Sequence, residues 1–359
     1  MLMVGTMIGA GYASGQEIAA FFGFAPSIFV PVFCGVLFFV FSVVLLMVGK
    51  SMKTDSLTEV HTALFGKMNG VVDITMLFNG VIILAAMIAA MDNTITILTG
   101  FAFPYGILFA LLCVYILRFN TGLLNANVIV VPFIIIFLAM TCFSSPLSLS
   151  LVYARGSLTS CFIYVFMNLL LSAGVLVRVN GLSTKQIIIS SLISSTVIAL
   201  LMALIAAVLP NAEGQSMPLV SIAGDGLIYY LFIISLIIAI FTTLLSALSP
   251  LRSWAGIMLG DNDLGALAAL IVAGLTACIG FETVVGFFYP IIGIIGIVYI
   301  IFAVVYLIRK SSFFDKYFFN KSDRTVHKRG KHAKNDCACH HQIDFKDLPA
   351  VNNKIAESR

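Results

Sequence analysis

The residues best placed for chemistry open the chain, in MLMVGTMIGAGYASGQEIAA. Gly5, Gly9, Gly11 and Gly15 punctuate a stretch otherwise apolar enough to begin a membrane span. Gln16 and Glu17 follow where a lipid-facing helix would carry leucine. Glycine costs an exposed helix roughly 1 kcal/mol relative to alanine, and it lets backbone groups turn away from helical bonding. In a bilayer the released groups must be satisfied by protein, water or a ligand. A carboxylate within a span costs a few kcal/mol and normally marks an ion or solute path. The rival reading takes Gly5-xxx-Gly9 and Gly11-xxx-Gly15 as small-xxx-small helix packing, with Glu17 hydrated near the outer interface. Thr6, Ser14, Gln16 and Glu17 weigh for a deliberate interruption. A nucleotide loop is excluded, since no strand precedes the glycines and no Lys-Ser/Thr follows them.

Two further groups stand out. Tyr164, Asn168 and Ser172 recur every four residues and form one polar stripe on a helix. The stripe either faces a binding site, with Asn168 the best hydrogen-bonding side chain, or glues helices together at about 1 kcal/mol. Cys337, Cys339, His340 and His341 are a candidate soft-metal set. Their CxC spacing in a polar segment argues against a dedicated zinc site. Weaker polar intrusions are Asn79, the Asp92-Asn93-Thr94 run at the outer end of a span, and Glu282 in an outer turn. His61 falls in a loop and reads as solvated. No catalytic triad or paired-carboxylate site is present, so the sequence does not read as an enzyme.

These groups need helices in lipid to position them. The 359 residues are 60% hydrophobic and 10% charged, with mean hydropathy +1.09. A soluble domain is about 45–50% apolar and about 25% charged. Ten spans follow from the apolar runs, at about 2–23, 26–49, 70–98, 102–117, 123–143, 157–177, 185–209, 226–249, 264–281 and 286–308. Pro210 and Pro250 are expected to stop the seventh and eighth. All but Arg155 of the 20 Lys and Arg fall on one side, which puts both termini in the cytoplasm of a multi-pass cell-membrane protein. Five spans in each half, about 1–145 and 150–308, then make the halves inverted relative to each other, a common secondary-transporter architecture. Residues 309–359 read as a polar, basic, disordered cytoplasmic tail lying against anionic lipid headgroups. The seven cysteines carry no disulfide pattern; Cys34, Cys113, Cys142, Cys161 and Cys278 sit singly in or beside apolar spans. Met1 leads into span 1 with no basic segment before it. A broken span 1 would have an inner half of about eight residues, too short to reach the cytoplasm at about 1.5 Å per residue, so the natural chain is expected to start earlier or this copy to be impaired.

The run from Gly5 to Glu17 resembles the first-span signature of the YkvI-like membrane proteins, a family similar to the amino acid–polyamine–organocation transporters. Phe21-Phe22 and Tyr289-Pro290 also look family-like. The resemblance implies an all-α integral membrane fold of the LeuT type, a five-plus-five inverted repeat with spans 1 and 6 broken. It implies that amides of Gly9, Ala10 and Gly11 receive a substrate carboxylate. Carbonyls of Gly5 and Ile8 would bind Na⁺, completed by the Ala239 carbonyl and the Thr242 and Thr243 hydroxyls. The alternative for the threonines is bonding back to the preceding turn. Substrate contacts would extend to Tyr164, Asn168 and Ser172, while Gln16 and Glu17 would gate the site or couple it to protons.

The expected activity is therefore secondary active transport of a small amino-acid-like solute by alternating access, coupled to Na⁺ or else H⁺. Its partners are the solute and the bilayer, with no nucleic acid and no other cofactor. A non-transporting sensor or receptor on the same fold is the alternative, and a passive channel is disfavoured because no charged ring or filter repeat is visible.

Overall fold

The chain begins as three short helices: α1 (Leu2–Met7), α2 (Ala10–Ala13) and α3 (Gln16–Phe22). They are separated at Ile8-Gly9, where Gly9 is extended at φ −90° and ψ −176°, and at Ser14-Gly15, where Gly15 takes φ +80°. The computed structural model describes residues 2–54, 56–119, 127–148, 157–179, 181–224 and 226–310. Arg155 and the cysteine–histidine set at Cys337, Cys339, His340 and His341 lie outside the described residues.

Next come α4 (Phe29–Met52), α5 (Leu57–Phe65), α6 (Asn69–Thr99), α7 (Tyr105–Phe119) and α8 (Asn127–Phe143). The second half holds α9 (Ser157–Leu176), α10 (Thr184–Val208), α11 (Pro218–Ile222), α12 (Leu227–Leu259) and α13 (Asn262–Ala277). It closes with α14 (Phe281–Thr283), a π turn over Val284–Phe288 and α15 (Tyr289–Lys310). Six helices are long and apolar enough to cross a membrane, and α7, α8 and α13 are shorter apolar helices. With the interrupted first segment they account for each expected span. The chain is a helical, multi-span membrane protein. The short helices α5 and α11 occupy matching places, between the second and third spans of each half.

Helix starts are set by local side chains. Ser56 caps α5 by accepting the Glu59 amide at 3.4 Å, and Ser183 forms a reciprocal capping box with Gln186 on α10. Asp261 caps α13, accepting the amides of Asp263 at 2.6 Å and Leu264 at 3.2 Å. Those two amides hold its carboxyl below the usual carboxylate range. Asp92 on α6 accepts the Gly106 amide at 2.7 Å and so fixes the start of α7, while Thr94 is fully buried rather than at the outer interface.

Two sequence expectations fail here. Pro250 does not end span 8, because α12 runs through it to Leu259. The turns beyond it are pinned by Arg252, which donates to Asp263 Oδ1 at 2.7 Å and to the Leu117 carbonyl at 2.8 Å. Tertiary bonds thus hold the turns beyond the proline in place, although it removes one helical bond. Span 6 is not interrupted either: α9 is continuous, with no proline and its one glycine, Gly174, near its end. Asn168 Nδ2 donates to the Tyr164 carbonyl at 3.1 Å, and Ser172 Oγ to the Asn168 carbonyl at 2.9 Å, so two of the three side chains of the stripe bond along their own helix.

Close helix approach is the packing device. Gly293 and Gly296 of α15 lie against the backbone of Ile163 and Phe166 of α9, with no room for a Cβ. Nothing lies within 4 Å of a Cβ built on Gly70. Gly293→Val is therefore expected to destabilise the purified protein by about 1–3 kcal/mol, an overpacking cost. Gly70→Ala should be neutral or slightly stabilising, and thermal unfolding in detergent compares the two.

Candidate functional site

A regular helix through span 1 would bond the amides of Gly9, Ala10, Gly11 and Tyr12 to the carbonyls of Gly5, Thr6, Met7 and Ile8. Among the described residues none of these four backbone bonds forms. Bonding resumes at once beyond the gap, with Ala13 N–H donating to Gly9 O at 2.9 Å and Ser14 N–H to Ala10 O at 2.8 Å. Four adjacent donors and four adjacent acceptors are thus released in a segment whose Ile8, Ala10 and Gly11 are buried.

The segment is held in place from several sides. Tyr12 Oη donates to the Ile198 carbonyl of α10 at 2.7 Å, and the Leu219 amide of α11 donates to the Ser14 carbonyl at 3.0 Å. Span 1 packs against α6, α8, α9, α10 and α12. On the α12 side, a Cβ built on Gly9 would stand 3.8 Å from Thr243 Oγ1. Thr242 and Thr243 both donate to the Ala239 carbonyl, at 3.1 and 2.8 Å, so the back-bonding alternative describes their present hydrogens. Each hydroxyl oxygen keeps lone pairs that a cation can use. The structure therefore brings Gly9 and Thr243 together, with Gly5, Ile8, Ala239 and Thr242 on the same two segments.

Glu17 is 4% exposed and is not hydrated at the interface. Its carboxyl folds back on Gly11, where an added Cβ would stand 2.7 Å from Cγ and 2.8 Å from Cδ. Oε2 of Glu17 and Oε1 of Gln16 are buried without a hydrogen-bond partner. Tyr12, Tyr164 and Tyr289 are all buried and lie around Glu17. Phe21 and Phe22 meet Tyr164 edge-on at 5.2 and 5.5 Å between ring centroids. Tyr164 is fully buried with an unpartnered hydroxyl, whereas Asn168 and Ser172 spend their donors within α9. Above Glu17, an open cleft of about 380 Å³ lies between α3 and the π turn, lined by Gln16, Ala20, Phe24, Glu282, Gly286 and Phe287. Glu282 is exposed there, as expected of an outer turn.

The sequence stopped short of two groups. Tyr12 and Tyr289 converge on Glu17 from different spans, and only Tyr12 lies in the glycine-rich run that marked the site. His61 is not solvated: it is 2% exposed, its Nδ1 bonds Asp73 Oδ1, and the rings of Phe65 and Tyr299 pack edge-on to it. A capped helix, α5, turns the histidine inward, and a lone His in a loop sequence carries no signal of that. Among the described residues no group of three metal-ligating side chains comes together.

Among solved structures the fold has a counterpart. The chain superposes on Mhp1, a nucleobase-cation-symport-1 family transporter solved in a closed conformation with bromovinylhydantoin bound. The TM-score is 0.56 at 14% identity, over 81% of this chain and 73% of Mhp1. The fold is of the LeuT type. The chain is also 26% identical over 330 residues to the uncharacterized membrane protein YkvI of Bacillus subtilis (strain 168), covering 83% of this chain and 92% of YkvI. That likeness bears out the resemblance read in span 1. No family model matches the chain.

The buried His61–Asp73 pair offers a check on this geometry. Asp73→Ala leaves the imidazole buried with Nε2 already unpartnered. A loss of about 1–3 kcal/mol is expected for an orphaned buried polar group. His61→Ala alone and the double variant complete a thermal-unfolding cycle, which should show coupling between the two positions.

Proposed function

We propose that this protein is a secondary active transporter that carries a small amino-acid-like solute by alternating access, driven by Na⁺. The observation carrying the reading is the four-bond gap in span 1 beside the threonine pair of α12. Free amides of Gly9, Ala10 and Gly11 suit a carboxylate, helped by the positive end of the outer half-helix. Free carbonyls of Gly5 and Ile8, with the Ala239 carbonyl and the Thr242 and Thr243 oxygens, suit a small hard cation. The two charges offset each other, which lowers the cost of carrying either through the low-dielectric interior. The LeuT-type fold supports this reading, because transporters of that architecture bind solute and ion at broken helices near the membrane midplane. Mhp1, named as a nucleobase-cation symporter, supports cation coupling but a different solute class. Coupling by H⁺ through Glu17 is the variant.

The role of Tyr164 in this scheme is to wall the site with its ring and hydroxyl, with Gln16 and Glu17 between the cleft and the gap. The protein would sit in the cell membrane with both termini cytoplasmic, as the basic residues imply.

Uptake into proteoliposomes, with Na⁺ and pH gradients imposed separately, tests the coupling ion. Uptake should follow the Na⁺ gradient. In Thr242→Ala/Thr243→Ala the Na⁺ needed for half-maximal uptake should rise at least about tenfold, or ~1.4 kcal/mol of lost ion binding. Uptake indifferent to Na⁺ and unchanged in that variant would remove the sodium site.

A further inference from the structure

Glu17 is the charged group that the sodium scheme leaves without work. We propose that its carboxylate holds the ammonium group of the solute, so that the solute must carry a cationic nitrogen next to its carboxylate. The inference rests on the transport reading above and narrows its substrate class.

The first observation is the missing partner. Glu17 is 4% exposed, Oε2 accepts no hydrogen bond, and an ionised carboxylate buried this way is costly unless paired. The second is that the described residues supply no partner. Among the described residues from Met1 to Leu307, every Lys and Arg lies in a loop or within about two turns of a helix end, at Lys50, Lys53, Lys67, Arg118, Arg178, Lys185 and Arg252, and the alternation of the spans puts these on one face. Arg252 and Arg118 are committed to Asp263 on that face, and Lys50 donates to Thr184 Oγ1 at 2.7 Å. The opposite face, where α3 ends, carries the carboxylates Asp92, Glu213 and Glu282. The cleft is lined by Glu282 and by Gln16, the chain neighbour of Glu17, with no Lys or Arg among its lining residues.

The third observation is the wall. Tyr12, Tyr164 and Tyr289 are buried around Glu17, Phe21 and Phe22 close on Tyr164, and the Tyr164 hydroxyl is unpartnered. Aromatic surroundings with one carboxylate favour a substituted ammonium over a bare metal ion, which wants several hard oxygens. The fourth is placement. The carboxyl rests against Gly11, inside the run of free amides, so an ammonium on Glu17 and a carboxylate on those amides are neighbours. That separation is built into an α-amino acid. Charge also closes: the Glu17 anion, a zwitterion and one Na⁺ sum to a neutral loaded site.

Thermal stabilisation of the purified full chain, in saturating Na⁺, tests the assignment. The probes are three sets: L-alanine, propionate and ethylamine; L-leucine, 4-methylpentanoate and isoamylamine; L-phenylalanine, 3-phenylpropionate and phenethylamine. At least one amino acid should stabilise, and its des-amino acid should bind at least tenfold more weakly. Glu17→Gln should weaken that amino acid at least tenfold, and Glu17→Asp, which keeps the charge, by less. A des-amino acid as effective as its amino acid overturns the proposal, and this needs no variant to fold. So does unchanged binding in Glu17→Gln, or no response to any amine-bearing probe. Proteoliposome flux separates the two readings. Na⁺-driven uptake of a solute lacking nitrogen cations sinks the ammonium site and keeps the transporter, while amine binding without flux keeps the site and sinks transport.

Discussion

In hydrocarbon a backbone N–H or C=O has no water to turn to, and each one left bare costs several kcal/mol. That constraint makes the gap in span 1 the feature on which the rest of the structure depends. Releasing the groups between Gly5 and Tyr12 is tolerable only if they are walled off from lipid, and the chain does so by putting span 1 at the centre. Tyr12 reaches α10, Ser14 receives the Leu219 amide from α11, and α6, α8, α9 and α12 close the remaining sides. Gly15, left-handed at φ +80°, then redirects the chain so that α3 can run outward beside the cleft.

The frame around that centre is held by close helix contacts and a few polar ties. α15 lies on α9 through Gly293 and Gly296, and Gly49 of α4 lies on the backbone at Val177 and Val179 just past α9. Arg252 ties α12, α13 and α7 into one unit through Asp263 and the Leu117 carbonyl. Without a hydrophobic drive between helices in lipid, small-residue contacts and a few polar ties carry the association. The interrupted segment can then stay open while its surroundings do not collapse into it.

Most of this was legible in the sequence where the signal is local. Apolar run length gave the spans, and glycine density with Gln16-Glu17 located the break at Ile8–Gly11, with the gap found at Ile8-Gly9. What was not legible depends on distant partners. Pro250 looks like a helix stop because the bonds of Arg252 to Asp263 and Leu117 are invisible to the local pattern. His61 looks solvated because its burial depends on Asp73 and on Tyr299, far along the chain. The break expected in span 6 came from the family resemblance alone, and the polar stripe on α9 could not decide its role, because spacing cannot tell a stripe that faces a ligand from one that bonds to its own helix. The convergence of Tyr12, Tyr164 and Tyr289 on Glu17 needs three spans at once.

The contrast between span 1 and α9 has a consequence for recognition. In a symmetric pair of broken helices, donors and acceptors for a bound solute come from both halves of the repeat. Here α9 keeps its backbone bonds, Asn168 and Ser172 each bond back to the preceding turn, and the Tyr164 hydroxyl is left without a partner. Residues Gly5 to Glu17 hold the four released backbone donors and acceptors together with the unpartnered Oε1 of Gln16 and Oε2 of Glu17. A solute bound there would be held at its charged end by one short segment and at its other end mainly by rings and aliphatic walls. Such a site discriminates strongly on the charged headgroup, because an analogue lacking one charge strands a buried polar partner. It discriminates weakly on the side chain, where a methylene more or less is worth only about 1–3 kcal/mol.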